Sequence, residues 1–412
     1  MNKYRNRLFT RSINKKFLLL ILLGITGMTG SSYAQKKEAF NWHFGYGAGL
    51  TWNTTQTIGV LAGLPTPLPL TTMIHEEGCF SMSDSEGNLL FYSDGITIYN
   101  RNHYGMPNGT GLTGDDHSTL SGIVIPYPGQ SHKWIAITIG VYSLSDNFAY
   151  SVIDMTLDGG LGDVVAGEKN VLFTGAAGIT NNSVAAVKHA NGRDFWITTV
   201  GKNNTLPAVM NLWKVTNAGV QTALFSSTTL PAAANISEGG YIRFSTDGKY
   251  FAYNDHNSRF FYGRFDPATG QFSNLKVRSF FVLGHGAEFS PSGKLLYLTS
   301  PAPGPQFCDI FCFKFEDLLS AAVPNDVAYK TVSLSPTYIS PRALQLGPDH
   351  RIYGALMNQN EMLVINNVND YDNFTCSVVS GLLAVGARGR DGLPYFDSSY
   401  FTAEAPDNVS DA

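Results

Sequence analysis

Short runs of polar and apolar residues alternate along this chain, and one arrangement of them returns. In Ser83-Asp84-Ser85-Glu86-Gly87-Asn88-Leu89-Leu90-Phe91-Tyr92, a polar turn closing on glycine is followed by a run of aliphatic and aromatic residues. Phe244-Ser245-Thr246-Asp247-Gly248-Lys249-Tyr250-Phe251-Ala252-Tyr253 and Phe289-Ser290-Pro291-Ser292-Gly293-Lys294-Leu295-Leu296-Tyr297-Leu298 repeat the pattern. Weaker copies surround Gly129, Gly192 and His350. Glycine suits a turn position that needs positive φ, and the Asp or Ser before it can hydrogen-bond the turn backbone. Each copy therefore predicts a strand, a tight turn and a second strand. Around Gly248 a full unit is readable, with strands at Tyr241 to Phe244, Tyr250 to Tyr253, Phe260 to Phe265 and from Phe272. The one helix the pattern suggests is short, Glu316 to Ala322.

Taking Gly87, Gly129, Gly192, Gly248, Gly293 and His350 as markers, the units recur irregularly, about every 50 residues, as four-stranded blades with loops of varying length would. A blade cannot bury both of its faces alone, so several must stack around a central channel. The expected fold is all-β, a β-propeller. Six marked blades and a seventh shared between Phe40 to Asn53 and Gly392 to Phe401 would close the ring, with six or eight blades as alternatives. Two β-sandwiches would explain the turns but not a single repeating unit.

Composition agrees: 12% of residues are aromatic and only 15% charged, with 42 glycines, which suits short strands and tight turns better than exposed helices. Residues 1–34 stand apart. Lys3, Arg5, Arg7, Arg11, Lys15 and Lys16 precede the apolar Phe17 to Leu23, and Ser32-Tyr33-Ala34 has the small-x-small form of a cleavage site. The apolar stretch breaks at Gly24, too short to span a bilayer. The expected organisation is a signal peptide at 1–34, a propeller at 35–402 and a tail or linker at 403–412. The mature chain is expected in the periplasm, at the cell surface or outside the cell, as a monomer without a membrane span.

The first 34 residues hold six of the 28 basic residues and no acidic one, leaving 22 basic against 32 acidic. That balance, with no basic cluster, argues against nucleic acid as a partner. Of the four cysteines, Cys79, Cys308, Cys312 and Cys376, the middle two share one strand-like run. Their Cα atoms would then lie about 13 Å apart, beyond disulfide reach.

Several segments together resemble a known family: Trp42-His43-Phe44-Gly45, Gly87-Asn88-Leu89-Leu90-Phe91-Tyr92-Ser93-Asp94-Gly95, Asn100-Arg101-Asn102-His103, Met106-Pro107-Asn108-Gly109-Thr110-Gly111-Leu112, Asp154 to Asp163, Val187 to Gly192 and Gln345-Leu346-Gly347-Pro348-Asp349. They are similar to the N-terminal propeller of large secreted Bacteroidota proteins, which continue into PKD-like domains and a gliding-motility-associated sorting domain of the type IX secretion class. The resemblance spans residues 40 to 402 and implies a propeller, export and no established catalytic residues. Those proteins continue where this sequence reaches Ala412, which leaves outward export by the type IX route open for the sequence as given.

Motif chemistry is sparse. His75-Glu76-Glu77-Gly78-Cys79 begins like a zinc-protease motif but has cysteine in place of the second histidine. Asp158-Gly159-Gly160-Leu161-Gly162-Asp163 occurs once, whereas calcium-binding glycine and aspartate repeats stack in copies. No cofactor, metal or catalytic residue is expected. Superposing the turn markers exposes a better candidate. Ten residues before them lie Glu77, Thr119, Asn182, Glu238, Leu283 and Ser340, and two residues on lie Cys79, Ser121, Val184, Gly240, His285 and Arg342. These positions should open the innermost strands at one mouth of the channel. Glu77, Thr119, Asn182, Glu238, His285, Ser340 and Arg342 are thus the expected binding ring, with Tyr46, Trp52, Tyr99 and His103 as rim aromatics. The expected role is a non-enzymatic interaction module for a protein, peptide or glycan at the bacterial envelope. The alternative is a glycan-cleaving hydrolase or lyase using Glu77 and Glu238.

Overall fold

The computed structural model describes residues 36–141, 148–176, 179–202, 207–231, 236, 239–256, 259–279, 286–301, 308–334 and 341–402. Glu238, His285 and Ser340 of the expected ring lie outside them, as do Leu283 and the signal-like segment.

Seven antiparallel sheets follow one another along the chain. Blade 1 contains Asn41–Phe44, Ala48–Ile58 and Leu61–Pro67; blade 2 runs from Phe80–Ser83 to Gly105–Thr110; blade 3 from Gly122–Pro126 to Val171–Leu172. Blades 4 to 7 start at Ile179–Lys188, Tyr241–Phe244, Ala287–Phe289 and Pro341–Leu346, and each has four strands in sequence order. The unit read around Gly248 has strands at Tyr241–Phe244, Tyr250–Asn254, Arg259–Asp266 and Gln271–Ser279. All six turn markers take positive φ, from +88° at Gly87 to +60° at His350. The helix is Phe315–Ser320, its apolar side covering blade 6.

Buried residues fill the seams between blades. Trp196 of blade 4 donates its Nε1–H to the Pro267 carbonyl of blade 5 at 2.9 Å, and Tyr297 of blade 6 donates to the Val368 carbonyl of blade 7 at 3.1 Å. Blade 7 closes on blade 1: Arg351 donates to the Ala62 and Gly63 carbonyls, and Tyr353 packs edge-on against Trp42 and Trp52. Trp52 is therefore seam core, 6% exposed, and not the rim aromatic expected from its position. Such large aromatic rings supply most of the apolar area a seam can bury.

Blade 1 departs from the other six. Their first strands run from the mouth to the turn end. Asn41 donates to Ser83 Oγ and to the Gly87 carbonyl at the turn end, while Tyr46 donates to Glu76 at the mouth, so Asn41–Phe44 runs the opposite way. It has the direction of a second strand. The place of the first is taken by the C-terminal segment, bridged antiparallel at Tyr46 and Arg388 and parallel at Cys79 and Pro394. That segment then descends the channel. Tyr395 donates to the Ile242 carbonyl at 2.5 Å and Ser398 to the Phe244 carbonyl at 2.8 Å, both on blade 5 across the ring. Lys36 reaches the Ser399 carbonyl at 3.3 Å near the turn end. The two ends of the folded region thus share blade 1, and the hole is filled by the chain itself.

Cys308 and Cys312 belong to one strand, Cys308–Lys314, as expected. Cys79 and Cys312 are buried thiols, and burial pushes Cys312 up to about 12.

Candidate functional site

Segments from five blades and the C-terminal segment meet at the mouth where the first strands begin. Backbone bonds fix the frame: Glu77 N–H donates to the Asp116 carbonyl, Gly78 N–H to Ser118 and Leu120 N–H to Asn182, all within 3.0 Å. The segment ending blade 7 enters here. Asp391 N–H donates to the Glu76 carbonyl at 2.8 Å, and Gly392 lies so close to Glu77 that a Cβ would fall 1.2 Å from its carbonyl oxygen.

Four of the seven expected ring residues are described. Glu77 and Thr119 are hydrogen-bonded through their side chains. Arg342 sits within electrostatic reach of Glu77 and pairs with Asp391, Nη1 to Oδ2 at 3.0 Å. Asn182 joins by its carbonyl. His256, from the loop between the second and third strands of blade 5, faces Thr119 across Gly239; a Cβ on Gly239 would lie 2.5 Å from Thr119 Oγ1 and 3.2 Å from His256 Cε1. Glu77, Thr119, Asn182 and Arg342 follow the repeat register. Asp391 and His256 belong to no copy of it, so marker superposition could not find them.

The mouth is rich in carboxyl groups. Glu76 accepts from Tyr46 at 2.6 Å and pairs with Arg390, whose guanidinium also lies over the Tyr46 ring. Asp115, Asp116 and His117 bring their ligand atoms within 4.8 Å of one another beside Glu77. The Asp116 hydrogen bond holds His117 above its ordinary value. Burial pushes Glu77 up to about 7, opposed by the Thr119 hydrogen bond and reinforced by Asp391. Asp391 is also raised by burial, against the pull of Arg342. Burial, then Arg342, brings His256 down to about 3.

A stability consequence follows for Glu77. Its folded value lies above the unfolded 4.5, so the protonated form is the one the fold favours. That contribution is complete below about pH 4.5 and is lost as pH rises through about 7. Glu77→Gln should leave the melting temperature unchanged at pH 4 and raise stability at pH 8 by up to about 3 kcal/mol. Paired thermal melts at the two pH values check this; equal shifts at both would contradict it.

Below the mouth the channel is packed. Arg243, 1% exposed, lies 4.1 Å from the Tyr395 ring centroid, with its Nε 3.6 Å from Glu288 Oε2, and donates to the Ala287 and Leu344 carbonyls. Above Arg243, at the mouth, lie Glu77, Arg342 and Asp391. The signal for Arg243 was present in the sequence as one arginine inside the apolar run Tyr241-Ile242-Arg243-Phe244.

The other motifs resolve as backbone features. His75 to Cys79 is loop leading into blade 2, with Gly45 N–H donating to His75 Nε2 at 2.6 Å. Asp158–Gly160 is a 3₁₀ turn, and Asp163 is held by Asn108 of blade 2. Among the described residues, no helix is long and apolar enough to cross a membrane.

No family model and no curated protein matches the sequence. Solved structures do match in fold. A "putative 6-phosphogluconolactonase" from Bacteroides fragilis aligns with a TM-score of 0.53 at 12% identity, covering 88% of this chain and 98% of that one. The hydrazine synthase of Kuenenia stuttgartiensis aligns at 0.43 and 12% identity, covering 86% and 99%. The β-propeller domain of Myceliophteria thermophila Cps50 (Swd1) aligns at 0.44 and 11%, covering 83% and 97%. At these identities the likeness concerns the fold alone: the protein is a seven-bladed β-propeller.

Proposed function

We propose that this propeller is a binding module of the bacterial envelope whose strand-start mouth takes a positively charged group of a peptide or protein partner. The observation that carries the reading is the convergence of Glu77, Asp391, Asp115, Asp116 and Arg342 at this mouth, beside the C-terminal segment that bonds blade 5 through Tyr395. Carboxyl groups outnumber guanidinium groups there, and a partly desolvated acidic mouth attracts ammonium or guanidinium groups. The signal-like segment at 1–34 supports export, with the envelope as the place of action.

A lysine- and arginine-containing peptide library titrated against the mature chain tests it. Affinity should rise between pH 6 and pH 8 as Glu77 ionises, and Glu77→Gln should flatten that dependence. Equal binding of acidic and basic peptides would contradict the reading.

One observation favours a second reading. A carboxyl group brought to about 7 beside another carboxyl is poised for acid–base work. Loss of a polymer-cleaving activity on Glu77→Gln, with fold retained, would select the enzyme over the module.

A further inference from the structure

At the turn end of the ring lies a recess of about 310 Å³, at the small end of the range for ligand sites. Turn-end residues of blades 2, 3 and 4, from the segments around Gly87, Gly129 and Gly192, meet there with both ends of the folded region. Those ends are tied into the wall. Ser83 N–H of blade 2 donates to the Glu38 carbonyl at 2.8 Å, and Lys36 donates to the Ser399 carbonyl of the C-terminal segment. Trp134 of blade 3 stands edge-on to Phe91 of blade 2, with 6.0 Å between ring centroids, so its indole is a fixed part of the same wall.

Several charged groups here are already matched. Asp84 accepts from Glu86 N–H at 2.9 Å and Asn88 N–H at 2.8 Å, and Asp397 accepts from the N–H and the hydroxyl of Ser399. Four other groups are unused. Among the described residues, the Lys188 ammonium, the Trp134 indole N–H, the Tyr400 hydroxyl and the Glu38 carboxyl form no hydrogen bond or ion pair. All four residues line the recess and are only partly buried, so each keeps surface for a guest. Glu38 buries Oε2 and leaves Oε1.

These groups set the demands on an occupant. Three donors, one of them cationic, call for a carboxylate, and the Glu38 carboxyl calls for an ammonium group. The rings of Trp134 and Tyr400, with Pro126, call for an apolar body. A guest bearing one charge would displace water and leave either Lys188 or Glu38 without a counter-charge. A small zwitterion with an apolar side chain meets every demand. We infer that this recess binds a free α-amino acid with an apolar side chain, its carboxylate on Lys188 and its ammonium group on Glu38. The site lies at the opposite end of the ring from the acidic mouth and does not depend on the reading given to that mouth.

Saturation-transfer NMR on the mature chain, with L-phenylalanine and L-leucine at about 5 mM, tests the inference. At least one should receive saturation. Its deaminated analogue (3-phenylpropanoate or 4-methylpentanoate) and its decarboxylated analogue (2-phenylethylamine or 3-methylbutylamine) should each bind at least about tenfold more weakly. Lys188→Gln should weaken the amino acid by about tenfold or more and keep the melting temperature within about 2 °C, since no bond within the fold is lost. If Lys188→Gln does not fold, Glu38→Gln replaces it, and the same loss of affinity is expected. No saturation of either amino acid, an analogue that binds as tightly as its parent, or parental affinity in the Lys188→Gln or Glu38→Gln chain overturns the inference.

Discussion

A chain lacking residues 388–402 is expected to show no cooperative thermal transition. Those residues supply the first-strand place of blade 1, bridge to Tyr46 and Cys79, and fill the hole with Tyr395, Phe396 and Phe401, each at most 2% exposed. Removing them opens blade 1 beside blade 2 and leaves Arg243 facing water-sized space where Tyr395 covered it. An antiparallel ring depends on closure to hide its edges. A gentler version needs one methyl group. Gly392→Ala places a Cβ against the Glu77 backbone carbonyl, where no side chain can swing away, and should cost more than about 4 kcal/mol. Calorimetry decides: a deletion that melts within about 2 °C of the parent would contradict the closure described.

Arg243→Met should cost about 3–5 kcal/mol in urea unfolding at pH 7, because it strands Glu288 in the channel wall without its counter-charge. Glu288 also accepts from Phe289 N–H and Leu346 N–H, both at 2.9 Å, so it cannot turn away. Burial already raises it, against the pull of Arg243. Adding Glu288→Leu to Arg243→Met should recover much of the loss, since a matched apolar pair avoids the unpaired charge. A loss under about 1 kcal/mol for the single variant would mean that the carboxyl is neutral in the parent.

Turn chemistry made the fold legible. Gly87, Gly129, Gly192, Gly248 and Gly293 mark a position that needs positive φ, and a residue with that requirement shows itself in sequence wherever it stands. His350 was readable only through its neighbours Gly347, Pro348 and Asp349. The same register brought out Glu77, Thr119 and Arg342, because residues at equal places in a radial repeat converge at one mouth. Asp391 was hidden for the opposite reason: it lies on the segment that closes the ring and has no counterpart in the other blades. The sharing of blade 1 between the two ends followed from counting strands, but the descent of residues 395–401 through the channel did not. No local pattern distinguishes a strand that borders a hole from one that fills it. Trp52 misled because alternation tells which face a side chain takes, not whether a neighbouring blade covers that face.

The most direct test of the closed channel is amide hydrogen exchange of the peptide covering Asp391 to Phe401, followed by mass spectrometry in the full mature chain. Tyr395 N–H bonds the Cys79 carbonyl inside the ring, so this peptide should exchange as slowly as the first strands of blades 2 and 5, through global unfolding. Exchange at the rate of an unstructured peptide would show that the segment lies outside the channel and would contradict the closure of blade 1 by the C-terminal segment.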